Sequence, residues 1–193
     1  MTTPPLPGRS ALQQRVATVI LDAAAHVFAA GGESSMNEIA ETAGVGRATL
    51  YRYFPNRHAL WDEVAVVAVA RVGERLQQAR LDGVAMEEGL RRAIRALVEV
   101  GDYFIVLTQE RARPSSARLD PAISVPLDQL FDRGQSAGFI RPDMTTAWLT
   151  DALVSQVVTT LAASPTLGRE DMVTAIASFV LDGARARCGE SRS

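Results

Sequence analysis

Apolar residues recur at three- and four-residue intervals along almost all of this 193-residue chain, and no useful length alternates apolar and polar residues between turn signals. That periodicity predicts an all-α architecture. Hydrophobic content of 47% fits a globular protein and not a disordered or fibrous one. No apolar run approaches the roughly 18 residues of a membrane span. The opening "MTTPPLPGRS" lacks an apolar core segment and reads as a tail, not a secretion signal, so the expected location is cytoplasmic and no membrane partner is expected. The single cysteine, Cys188, cannot form an internal disulfide and reads as an inert thiol.

Capping signals divide the chain. Ser10 and Gln13 stand at capping-box spacing and open a first helix with Val16, Ile20, Ala23, Val27 and Phe28 on one face, which Gly31 and Gly32 stop. Ser35 with Glu38 opens a two-turn helix carrying Met36, Ile39, Ala40 and Ala43, ended by Gly44. After Val45 and Gly46 comes a third short helix, in which Leu50 and Phe54 are four apart and face the core together. Pro55 ends it, and Asn56 caps a fourth helix from about Arg57 to Leu81, with Leu60, Trp61, Val64 and Ala68 inward. A fifth is expected from about Met86 to Gln109. Pro126 would kink a helix opened by Pro121, so a short turn is expected there before a helix ending near Gly138. Asp143 is the expected cap of a helix from about Met144 to Ser164, and a last helix should end near Arg187.

Two short helices joined by a glycine-containing turn meet the requirements of a helix-turn-helix. Gly44 and Gly46 let the axes cross closely, and Gly46 lets a nucleic-acid backbone approach the second helix. With Leu50 and Phe54 inward, Ala48, Thr49 and Arg52 point outward, flanked by Tyr51 and Tyr53. Charge supports a binding face there. The chain carries a net charge of -2, yet between Ala43 and His58 lie three arginines and no acid. Positive charge is needed only where a duplex lies, so an acidic remainder is compatible with DNA binding.

The segment "MNEIAETAGVGRATLYRYFPNRHALWDEV", residues 36–64, resembles the DNA-binding signature of the tetracycline-repressor (TetR) family. The resemblance implies that Arg47, Ala48 and Thr49 reach bases while Tyr51, Tyr53 and Arg57 hold phosphates of a double-stranded operator. Arg57 stands where the family usually has lysine, and Gly46 where serine is common. Farther on, "SAGFIRPDM" is similar to a turn seen in many members. The expected fold is thus an N-terminal three-helix helix-turn-helix domain followed by a helical ligand-binding and dimerisation domain. The expected ranges are a tail over 1–9, the DNA-binding domain over 10–57, the effector and dimerisation domain over 58–188, and a tail over 189–193, with the fourth helix shared.

Thr145 to Ala163 holds eleven apolar residues of nineteen and one charge, Asp151, and Met172 to Leu181 is eight-tenths apolar. Helices apolar on two sides need two partners, so a two-fold homodimer through Leu153, Val157, Leu161, Ile176 and Val180 is expected, packed as a four-helix bundle. The competing reading is a deeply buried pair within one chain.

In the apolar stretch "VEVGDYFIVL", Arg95 is four residues before Glu99 and accounts for that acid as a helix pair. Asp102, Tyr103 and Phe104, with Phe131, Trp148 and Gln156 as walls, are the ligand-pocket candidates. The family resemblance implies a small apolar or amphipathic inducer there, and an acid with aromatics suits a cation. Such an inducer would favour a domain arrangement unsuited to the operator.

No enzyme is expected, and neither a cofactor nor a metal. His26 and His58 have no partner at metal-ligand spacing, and the chain contains neither a nucleophile motif nor a phosphate-cradling glycine loop. The expected function is a transcriptional regulator, a repressor released from a palindromic operator by an inducer. The alternative is a dimeric DNA-binding regulator without a small-molecule ligand, controlled by a protein partner or acting constitutively.

Overall fold

The computed structural model describes residues 10–31, 35–111, 119–163 and 167–186. The expected tails and Cys188 lie outside these. The described residues form α1 (Ala11–Ala29), α2 (Met36–Thr42), α3 (Arg47–Tyr53), α4 (Arg57–Gln78), α5 (Met86–Glu99), α6 (Gly101–Arg111), α7 (Pro121–Ser136), α8 (Thr146–Ala163) and α9 (Arg169–Ala184). The fold is all-α. The chain divides into two compact units, Met1–Arg71 with Asp102–Ser116, and Val72–Gly101 with Ala117–Ser193. The division falls within α4, and the segment after Gly101 returns to the first unit.

Local signals account for the first unit. Ser10 and Gln13 form the reciprocal capping box, with Gln13 N–H on Ser10 Oγ at 3.3 Å and Ser10 N–H on Gln13 Oε1 at 2.8 Å. Ser35 Oγ accepts the Glu38 N–H at 3.1 Å and starts α2. Gly44, at φ +65°, ends it, with Val45 N–H returning to Ala40 O at 3.0 Å and Gly44 N–H to Glu41 O at 3.0 Å. That is a Schellman closure, which places the chain to begin α3 only two residues later. Asn56 Oδ1 accepts the Ala59 N–H at 2.8 Å and caps α4. Ile20, Leu21, Phe28, Ile39, Leu50, Leu60 and Val64 are fully buried and form the core of this unit.

In the second unit α5 packs against α7, α8 and α9, and α8 packs against both α7 and α9. Leu90, Ile94, Leu97, Leu127, Phe131, Leu153 and Val157 lie at its centre with no exposed surface. The segment between α7 and α8 meets the end of α9 in an antiparallel bridge, Ile140 to Arg185, flanked by Arg141 N–H to Ala184 O at 2.9 Å and Ala186 N–H to Phe139 O at 3.0 Å.

Several boundaries differ from expectation, among them the end of the last helix, at Ala184 and not near Arg187, because Arg185 is extended at φ -64°, ψ 137°. The fourth helix stops at Gln78 and not Leu81, because Arg80 adopts φ +47° and Gly83 φ +72° in the following turn. The expected fifth helix is two, broken where Val100 leaves helical geometry at φ -110°, ψ 30° and Gly101 packs against Leu161. A Cβ on Gly101 would lie 3.3 Å from that leucine. Pro126 does not interrupt α7. Asp120 caps it through the Ala122 N–H at 2.9 Å, and burial of Ile123 and Leu127, roughly 1.5–3 kcal/mol each, offsets the roughly 3 kcal/mol cost of an interior proline. Finally, Thr145 caps α8 through the Trp148 N–H at 3.2 Å, since Asp143 is engaged by the Arg141 guanidinium at 2.6 Å.

Candidate nucleic-acid interface

The turn between α2 and α3 decides which residues of α3 meet solvent. Leu50 and Phe54 are buried, one turn apart, and this pins the inner face. Arg47, Ala48 and Arg52 are consequently exposed, while Thr49 is half-buried. Tyr51 is 47% exposed and Tyr53 half-buried, with the Arg52 guanidinium 5.6 Å from the Tyr53 ring centroid. Tyr51 is thus more of a surface residue than a position on the flank implies, and Thr49 less.

Gly46 is not needed for the two helices to cross closely. Its φ of -69° is open to any residue, and a Cβ added there would meet nothing within 4 Å. The left-handed conformation that requires glycine belongs to Gly44 alone in this turn. What Gly46 does is leave the start of α3 without a side-chain cap.

Arg57 begins α4 and is exposed, with its guanidinium stacked 5.0 Å from the Phe28 centroid and 5.9 Å from that of Trp61. Phe28 and Trp61 are themselves 4.7 Å apart at 50°. Sequence periodicity marks both rings only as core and misses this aromatic platform. The signal available was the spacing of Arg57 and Trp61, four apart on one helix face. A guanidinium held over two rings is a pre-oriented fork that meets phosphate oxygens with little further loss of rotamer freedom.

The six ligand-pocket candidates divide between the units, Asp102, Tyr103 and Phe104 in the first and Phe131, Trp148 and Gln156 in the second. Asp102 is not a buried carboxylate. It is half exposed and pairs with His26 Nδ1 at 3.1 Å. Tyr103 is buried and donates its hydroxyl to Asp22, Phe104 and Phe131 are core residues, Gln156 is half-buried, and Trp148 is 56% exposed. Glu99 pairs with Arg75 and not with Arg95, whose guanidinium instead takes Glu170 of α9.

Of the dimer candidates, Leu153, Val157 and Ile176 are buried within the single chain, whereas Leu161 and Val180 are half-buried. The large apolar residues that α8 and α9 expose are Trp148 and Phe179, the latter 67% exposed. Among the described residues no cluster of acids, histidines and cysteines could hold a metal, and no helix is long and apolar enough to cross a membrane.

Residues 20–64 match the family of bacterial regulatory proteins described as the tetR family. Over 148 residues, 77% of each chain, the sequence is 25% identical to the HTH-type transcriptional repressor LfrR of Mycolicibacterium smegmatis. Over 73 residues, 37% of this chain and 36% of the relative, it is 42% identical to the HTH-type transcriptional regulator Rv1255c of Mycobacterium tuberculosis. The fold is similar to the crystal structure of LfrR from Mycobacterium smegmatis in complex with proflavine, with a TM-score of 0.72 and 23% identity over 89% of this chain and 97% of that one.

Proposed function

We propose that the chain is a regulator of the tetR family, whose model its residues 20–64 match, and that α3 reads an operator whose occupancy a small molecule controls. It is a DNA-binding transcriptional regulator. The observation that carries the assignment of α3 is its two-sidedness: Leu50 and Phe54 are buried while Arg47, Ala48 and Arg52 stand out to solvent on a stretch without acids. The first turn of such a helix meets base edges in the major groove, where Arg pairs with guanine O6 and N7. Tyr51, Tyr53 and Arg57 serve as phosphate contacts, which fix register and not sequence.

Two copies act together. The exposed stripe Ala175, Phe179 and Gly183 on α9, at four-residue spacing, supplies the contact surface with Trp148 of α8, and Leu161 and Val180 form its edge. Recognition helices fixed by a dimer read half-sites about one helical turn, roughly 34–36 Å, apart. Repression relieved by an inducer is the mode we favour, supported by the relative LfrR, a repressor whose structure holds proflavine. The inducer acts by its difference in affinity for the operator-competent and operator-incompetent arrangements.

The test is a titration against the DNA flanking the coding sequence at two salt concentrations, with an Arg47→Ala, Arg52→Ala double variant. Tight, salt-sensitive binding that the variant abolishes supports the reading. Binding equal for flanking and random duplex, and unchanged in the variant, overturns it.

A further inference from the structure

The second unit contains a shallow cleft of about 140 Å³ between α4 and α5, lined by none of the candidates for DNA, inducer or dimer contact. Arg75 and Gln78 line it from α4, and Arg92, Arg95, Ala96 and Glu99 from α5. Three guanidinium groups around so small a space repel one another unless acids offset them. The acids present fall into two sets.

The floor is satisfied from within. Arg75 pairs with Glu99 and donates to Gln78 Oε1 at 2.8 Å, and both charged side chains are mostly covered. The Nε of Arg75 is buried without a hydrogen-bond partner among the described residues. The rim is different. Arg92 donates through Nε to Glu88 Oε1 at 2.7 Å, and Arg95 grips Glu170 with two bonds, Nε to Oε1 at 2.8 Å and Nη2 to Oε2 at 2.7 Å. Glu88 is 49% exposed and Glu170 68% exposed. Such acids hold their partners weakly because water competes for them. Arg95 nevertheless draws the Glu170 carboxyl below the usual range, through the hydrogen bond first and the charge second.

We propose that this cleft is a binding site for a small organic carboxylate, whose head takes the place of Glu170 on Arg95 and of Glu88 on Arg92 while its apolar body lies against Ala96. The fork between Arg95 and Glu170 shows the geometry that such a head adopts. The two arginines stand three residues apart on one face of α5, close enough to share a single anion. With no lysine in the chain, every side-chain cation of the site is a planar fork suited to a carboxylate. Ligand entry releases Glu170, in the first turn of α9, from α5. That consequence for the dimer surface rests on the function proposed above, whereas binding itself does not.

Benzoate is the probe, benzamide its neutral isostere and inorganic phosphate the competing anion. Each is titrated into the DNA-free protein while the arginine Nε–H resonances are followed by nuclear magnetic resonance. The expected result is saturable benzoate-induced shifts at Arg92 and Arg95, with a dissociation constant on the order of 1 mM for so small a ligand. Benzamide should produce none. Arg95→Gln should abolish saturation, and Glu170→Gln, which removes the internal competitor from an exposed position, should tighten benzoate binding about threefold. Absence of saturation, equal shifts with benzamide, phosphate binding without benzoate binding, or unchanged affinity in Glu170→Gln would each overturn the assignment. None of these readouts involves an operator, so failure here leaves the DNA titration unaffected.

Discussion

Tyr103 donates its hydroxyl to Asp22 Oδ1 at 2.7 Å, and Arg71 approaches the same oxygen at 2.7 Å with its guanidinium 4.4 Å from the tyrosine ring. One carboxylate therefore holds a residue of α6 and a residue of α4 against α1, all within the first unit. Tyr103→Phe should destabilise the protein by about 1.5–3 kcal/mol, the range for a hydrogen bond to a charged acceptor. Asp22→Asn should cost a similar amount, and the double variant less than the sum, because the two changes act on one shared bond. Urea denaturation of the four proteins checks this, and strict additivity would contradict it.

The same bond fixes a pH dependence. Burial, and then the bond to Asp22, raise the Tyr103 phenol well above its ordinary value of 10.0. The folded state thus holds this proton more tightly than the unfolded state. Its contribution is complete below about pH 10, the ordinary phenol value, and is lost progressively above it as the unfolded chain ionises. Wild type should lose stability faster than Tyr103→Phe between roughly pH 10 and 11. Parallel declines for the two proteins would show that the phenol is not the cause.

Gly44 and Gly46 should respond oppositely to substitution. Gly44→Ala places a side chain at φ +65° and should cost about 1 kcal/mol or more. Gly46→Ser adds an N-cap hydroxyl in open space at φ -69° and should raise stability by a few tenths of a kcal/mol. Thermal midpoints of the two variants, measured with operator absent, decide between this and equal sensitivity.

How much of the fold is legible in the sequence depends on the kind of signal. Ser10, Ser35, Gly44, Asn56 and the pair Leu50 and Phe54 act through neighbours three or four residues away, so the helix-turn-helix can be read directly from spacing. The break at Val100 cannot, since no capping signal marks it and the close neighbour of Gly101 there, Leu161, lies far along the chain. Nor can the partners of Arg95 and Glu99, because local spacing suggests a pair that side chains from α9 and α4 override. In α8 and α9 apolar residues occupy more than one face, and periodicity then no longer separates Leu153, buried by its own chain, from Phe179, left exposed.

Arg57 tests how phosphate recognition differs from base recognition. Its guanidinium rests on Phe28 and Trp61, so Arg57→Ala removes both a positioned cation and the cover of an aromatic pair. The folded protein should be destabilised by only about 0.5–1 kcal/mol, as for exposed cation–π pairs. Operator and random duplex should weaken by the same factor, with the salt slope smaller by about one for each phosphate that the variant no longer neutralises. A weakening confined to the operator would instead place Arg57 among the base-reading residues.

Phe179 tests whether the exposed face of α9 is the partner surface proposed above. At 67% exposure, Phe179→Glu removes little that its own chain buries, so the folded stability of a protomer should change by less than about 0.5 kcal/mol. A charge on a two-fold surface meets its own copy, and that repulsion, with the burial of two carboxylates, should convert the dimer to a monomer. Leu153→Ala provides the contrast. Leu153 is fully buried within one chain, and its truncation should cost about 2–5 kcal/mol of stability while leaving the assembly a dimer. Light scattering coupled to size-exclusion chromatography reads the assembly, and urea denaturation the stability. A dimeric Phe179→Glu protein would move the interface off the outer face of α9. A monomeric but folded Leu153→Ala protein would mean that the core of α8 reaches the partner indirectly, through the position of α9.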